Sequence, residues 1–157
     1  MNKITSIILT IVFVIVPVLA RQSEQSQGLL TEDYSTAQPK VRFAPLHIYL
    51  ETCNLLAAYQ FELKATAGQI KIVGVEGGEH DAFKEAPYYD KAALMKERII
   101  IAAFSTGRDL PTDRTRIATI HLQIIGDAEP EYELKLIVAA DADGKELPAG
   151  IIFEKGE

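Results

Sequence analysis

Leu55–Glu76 reads LLAAYQFELKATAGQIKIVGVE, and the spacing of its apolar residues decides the fold. Ala57, Tyr59, Phe61 and Leu63 fall on odd positions with Gln60, Glu62 and Lys64 between them. That two-residue period belongs to a strand with one face buried and one wet. Ala67-Gly68-Gln69 interrupts it, and Ile70, Ile72, Val73 and Val75 take it up again with β-branched residues suited to a pleated surface. The stretch therefore predicts two strands joined by a turn.

The same pattern extends in both directions. Upstream, Val41–Thr52 predicts a strand in which Leu46, Ile48 and Leu50 alternate with His47, Tyr49 and Glu51, with Pro45 at a start or an edge. Downstream, Gly74–His80 ends regular pairing, and an irregular connection carrying Phe83, Pro87, Tyr88 and Tyr89 runs to Glu97. Asp90–Glu97 has room for one or two helical turns. Long connections in small domains tend to be functional, or to fold back as a lid; here Phe83 and one tyrosine are expected to cover the core.

Arg98–Phe104, RIIIAAF, is nearly continuous in apolar residues and predicts a central strand covered on both faces. Arg116–Ile125 alternates again, with Ala118, Ile120, Leu122 and Ile124 inward. After the turn Gly126–Pro130, the residues Tyr132, Leu134, Leu136, Val138 and Ala140 are expected to share one face, and a last strand centres on Ile151–Phe153. Seven to nine short strands with turns about every ten residues and no strong helix predict an all-β, two-sheet sandwich.

Residues 1–20 read as a signal peptide, with Lys3, an apolar run from Ile7 to Leu19 and a small-residue site at Val18-Leu19-Ala20. The run falls short of the roughly 20 apolar residues that span a bilayer, so cleavage after Ala20 and no stable membrane anchor are expected. Residues 21–40 form a polar leader rich in Gln and Ser, and residues 41–157 form one domain. The chain is thus expected to be exported, to an extracellular or periplasmic space.

The net charge is −6, and removing residues 1–20 takes away only Lys3 and leaves −7. Scattered basic residues on an acidic chain exclude nucleic acid as a partner. Arg108, Arg114 and Arg116 come nearest to a cluster, in a turn-rich stretch where exposed charge is ordinary. Cys53 is the only cysteine, so stability must come from the core; its place after a strand predicts a buried inert thiol or a strand-end residue.

Catalytic and metal signals are weak. Asp141-x-Asp143-Gly144 opens like a calcium loop, but the twelfth position, where a bidentate Glu would sit, is Ile152, and Asp-Gly is a common turn pair. His47, His80 and His121 share no ligand spacing. His80 has Glu76, Glu79 and Asp81 for neighbours, which favours a solvated acidic loop over a metal site. No nucleophile elbow, phosphate loop or dinucleotide fingerprint occurs, so neither an enzyme nor a cofactor is expected. The candidate ligand-binding residues are Tyr88 and Tyr89, because sugar rings stack on aromatic faces. For a protein ligand the candidates are apolar residues on a flat sheet face, such as Ile100 or Ile124.

Laid out in order, these segments resemble the cohesin domain and its relatives among the carbohydrate-binding modules. The likeness covers roughly residues 46–153 and rests on LHIYLET, LAAYQFELKATAGQIKIVGVEGG, AFKEAPYYD, RIIIAAFSTG, TRIATIHLQIIG and LKLIVAADADGKELP. Ala58, Tyr59, Gln60, Phe61, Glu62 and Leu63 fit the family's small residue followed by aromatic-Gln-aromatic-acid-Leu. The resemblance implies a jelly-roll sandwich of about nine strands and a non-catalytic role in polysaccharide degradation. It implies assembly with a dockerin-bearing protein, with a polysaccharide as the alternative ligand, and it identifies no individual contact residue.

Overall fold

The computed structural model describes residues 38–156; the expected signal peptide and nearly all of the leader lie outside them. Eight strands are formed among the described residues: β1 Val41–Thr52, β2 Ala58–Ala67, β3 Gln69–Gly77, β4 Tyr88–Tyr89, β5 Arg98–Phe104, β6 Asp113–Ile125, β7 Glu131–Ala140 and β8 Gly150–Lys155. They make two four-stranded sheets, ordered β3-β6-β1-β8 and β4-β5-β2-β7, with every pairing antiparallel. The inward side chains of both sheets form one hydrophobic core: Leu46, Ile48, Leu50, Ile72, Ile120 and Leu122 from the first, Tyr59, Phe61, Leu63, Ile99 and Ile101 from the second. The molecule is all-β with the character of a sandwich, as the alternation predicted.

The two strands of Leu55–Glu76 form where the pattern places them, but they do not pair with each other. β2 lies in one sheet and β3 in the other, so the turn at Gly68 is a corner between layers. Gly68 has φ of +79°, and a Cβ there would meet the Pro130 Cα at 2.9 Å. A residue without a side chain is needed on both counts. Pro130 lies in the connection from β6 to β7, which crosses between the same two sheets.

Four strands carry an irregularity in register, β2 at Thr66 among them. In β7 the register slips between its pairs with Gln60 and Phe61, leaving Ile137 as an extra residue. Tyr132, Leu134 and Leu136 pack against the core as expected; beyond the bulge Ala139 turns inward and Val138 outward, 39% exposed. A bulge inserts one residue and thereby reverses the faces after it. The slip in β6 at Ile117 has the same origin, and that in β3 leaves Val73 without an opposite residue.

The connection between β3 and β5 folds back, with single 3-10 turns at Asp81–Phe83 and Lys91–Ala93. Phe83 is buried, and its ring stands edge-on to Tyr59 at 5.0 Å. Its backbone closes one flank of the sandwich: the Ile72 and Ala65 amides donate to the Lys96 and Glu97 carbonyls, and the Met95 amide donates to Ile72. The Tyr59 hydroxyl crosses the core to the other sheet and donates to the Ile117 carbonyl at 2.8 Å. Burial pushes this phenol well above its ordinary value of 10.0.

Candidate functional site

The outer face of the β4-β5-β2-β7 sheet is the feature that sets this molecule apart from an inert sandwich. Period-two geometry sends Ile99 and Ile101 of β5 into the core, so Ile100, Ala102 and Phe104 must point the other way. No second layer covers them among the described residues, and Phe104 is 63% exposed and Ile100 37%. Arg98–Phe104 is thus covered on one face only, against the expectation from its apolar run. A run of that composition does not reveal that half of it is displayed.

Tyr88 pairs with Ala102 and Tyr89 with Ile101, so the two tyrosines leave the sheet on opposite sides. Tyr89 packs against the core, whereas Tyr88 is 69% exposed. A platform made of both has no common face. The ring that shares a face with Tyr88 is Phe104: their planes lie 9° from parallel with centroids 6.0 Å apart. Sequence spacing could not have found this partner, because fifteen residues and a folded connection separate the two.

Across the sheet the same face carries Gln60, opposite Ala102, and then Val138, opposite Gln60, with the bulged Ile137 beside it. One end of the face is therefore aromatic and aliphatic. The other end is charged, with Glu62 and Lys64 of β2, Arg98 of β5, and Glu133 and Lys135 of β7. Register places Glu62 opposite Lys135 and Lys64 opposite Glu133. Arg98 Nε donates to Glu62 Oε1 at 2.6 Å, which holds the Glu62 carboxyl below its ordinary value. Two acids and three bases leave one net positive charge at that end, and the apolar end is a patch with a polar border, the anatomy of a recognition surface. Of the two apolar residues named for this role, Ile100 lies on the face, while Ile124 is 2% exposed and belongs to the core.

The other candidates are accounted for by local structure. Asp141 Oδ1 accepts from the Asp143 and Lys145 amides, as a turn requires, so that carboxylate is engaged by backbone. His80 Nδ1 accepts from the Ala82 amide, Glu79 accepts from the Arg116 amide, and Glu76 lies 3.1 Å from His121. No group of three His, Cys, Asp or Glu is arranged to hold a metal ion among the described residues. His47 faces Thr119 at 3.1 Å. Cys53 sits just past β1 with its side chain exposed, the strand-end residue of the two expectations and not the buried thiol. Arg114 and Arg116 lie within β6 and not in a loop; Arg114 spans Glu51 and Glu154 and lies over the Tyr49 ring at 4.3 Å.

An open hollow of about 560 Å³ lies at one end of the sandwich, lined by Glu51, Cys53, Asp113, Arg114 and Pro148 among others. It lies away from the aromatic face. No helix is long and apolar enough to cross a membrane among the described residues. Comparison with protein-family models, curated proteins and solved structures returns no match.

Proposed function

We propose that this chain is an exported, non-catalytic binding module that takes a protein partner on the outer face of the β4-β5-β2-β7 sheet. The observation that carries the reading is the exposed group Tyr88, Ile100, Phe104, Ile137 and Val138 around Gln60 on one sheet face. Burying such a group supplies the free energy of association, and aromatic residues near the centre of a patch typically dominate it. The paired charges at the far end suit a role in register and selectivity.

The partner class comes from the resemblance to cohesins: a dockerin-type helical module on an enzyme that degrades polysaccharide. The fold assigned with it is a jelly roll. Support for that topology is the way consecutive strands alternate between layers, with only β4 and β5 adjacent in both sequence and sheet. A second reading, a polysaccharide as ligand, draws on the near-parallel Tyr88–Phe104 pair, since exposed rings also stack on sugars.

The test is a pull-down from the host's secreted fraction with the chain from Arg21 to Glu157 as bait, with and without calcium chelation. Recovery of a calcium-dependent protein, lost in a Tyr88→Ala/Phe104→Ala variant, is expected. Retention of polysaccharide alone, lost in the same variant, would replace the protein reading with the glycan one. A variant that captures whatever the wild type captures would remove this face from either role.

A further inference from the structure

The two flanks of the sandwich are finished differently. On one, the connection between β3 and β5 bonds to the edge of β3 through Met95 and Lys96. On the other, β7 and β8 are the terminal strands of their sheets and run beside each other, with Tyr132 edge-on to Phe153 at 5.6 Å. No strand lies beyond either among the described residues. The carbonyl of Ala139 accepts from Leu147, and Ala140 bridges to Glu146, so the end of β7 is engaged. The edge from Glu131 to Val138 is free among the described residues.

The seam along this flank is apolar. Tyr132, Leu134, Leu136, Ile151 and Phe153 all pack against the core yet remain partly exposed. A free edge of that kind is a template for another strand, and side-chain charge selects which strand it accepts. On β7 charge changes sign across Leu134, with Glu133 before it and Lys135 after it. An antiparallel copy of β7 centred on Leu134 therefore sets each Glu133 against the other copy's Lys135. It also sets Tyr132 against the other copy's Leu136 on the core side. Opposite charges directly across an antiparallel pair are favourable, and a twofold axis makes the contact twice.

We propose that two copies of this chain associate through the β7 edge in that register, joining two four-stranded sheets into one of eight. The partner is a second copy, because the edge is complementary to itself in charge and in apolar pattern. The contact draws on Glu133 and Lys135 at the charged end of the binding face and leaves Phe104 and Tyr88, two and three strands away across that sheet, uncovered.

Charge exchange tests it. Glu133→Lys leaves two lysines on each edge and Lys135→Glu leaves two glutamates, so either variant repels itself and complements the other. Sedimentation of the full chain, purified from a host that exports it, is expected to show a concentration-dependent dimer for the wild type. Each variant alone is expected to dissociate at least tenfold more readily, and an equimolar mixture is expected to recover a heterodimer, with unchanged circular dichroism showing that both variants fold. A wild-type chain that stays monomeric at millimolar concentration would overturn the proposal. So would variants that dimerise as the wild type does, or a mixture that fails to reassociate.

Discussion

At the scale of single residues, Tyr59 and Glu129 show how stability depends on a partner the sequence does not name. Removing the Tyr59 hydroxyl takes a buried hydrogen bond from the Ile117 carbonyl, so Tyr59→Phe is expected to lower unfolding free energy by about 1–3 kcal/mol in urea titration. The raised value of this phenol also fixes a sign. Its contribution is complete below pH 10.0, where the free phenol titrates, and is lost as pH rises further. Tyr132, pushed up to about 12 by burial, acts in the same direction. Tyr59→Phe is therefore expected to lose less of its remaining stability than the wild type as pH is raised above 10.0, followed by melting temperature. Glu129 has the opposite sign. A hydrogen bond from Lys155, aided by Arg42, holds its carboxyl below the ordinary 4.5, so its contribution is present above that pH and is lost below it. Melting curves of Glu129→Gln are expected to fall less steeply than those of the wild type as pH drops through this window; parallel curves would show the clamp to be inert.

At the scale of elements, the placement of the connection between β3 and β5 depends on close backbone packing at Gly77. A Cβ on Gly77 would stand 2.1 Å from the Lys84 carbonyl oxygen, a backbone atom that cannot swing aside. Gly77→Ala is expected to cost about 1–3 kcal/mol and to raise amide exchange across residues 81–97, while Gly150→Ala, where a Cβ meets nothing within 4 Å, serves as the control. Equal stabilities for the two variants would show that the connection shifts freely. The glycines of this stretch were legible as the end of regular pairing. The reason for them was not, because it lies in the backbone seven residues further on.

At the scale of the whole molecule, the alternation of strands between sheets makes nearly every pairing one between segments distant in sequence. The β4–β5 pairing sets Phe104 alongside Tyr88, and the distant pairings of β2 with β5 and β7 add Gln60, Ile137 and Val138, so the candidate face is a product of assembly and not of any one segment. Both rings are exposed and serve no core contact, which separates binding from stability. Replacing Tyr88 or Phe104 with Ala is expected to weaken capture of the partner by at least about thirty-fold, the scale of a central aromatic anchor, and to leave the melting temperature within the range of ordinary surface substitutions. A large drop in melting temperature would instead make the pair structural.

The sequence by itself determined the fold class, the bounds of β1 and β5, and the inward residues of β2 and β6, because a buried face imposes a period of two that can be counted along the chain. It also marked the turn at Asp141, whose side chain bonds to amides only two and four residues away. Tertiary structure alone decided which strands pair, where Ile137 breaks the alternation of β7, that Ile100 and Phe104 face outward uncovered, and that Tyr88 joins Phe104 while Tyr89 turns to the core. The physical reason is range. Periodicity, turn chemistry and side-chain caps act between near neighbours in the chain, whereas register and the covering of a sheet face are set by strands that meet only when the two layers close on a common core.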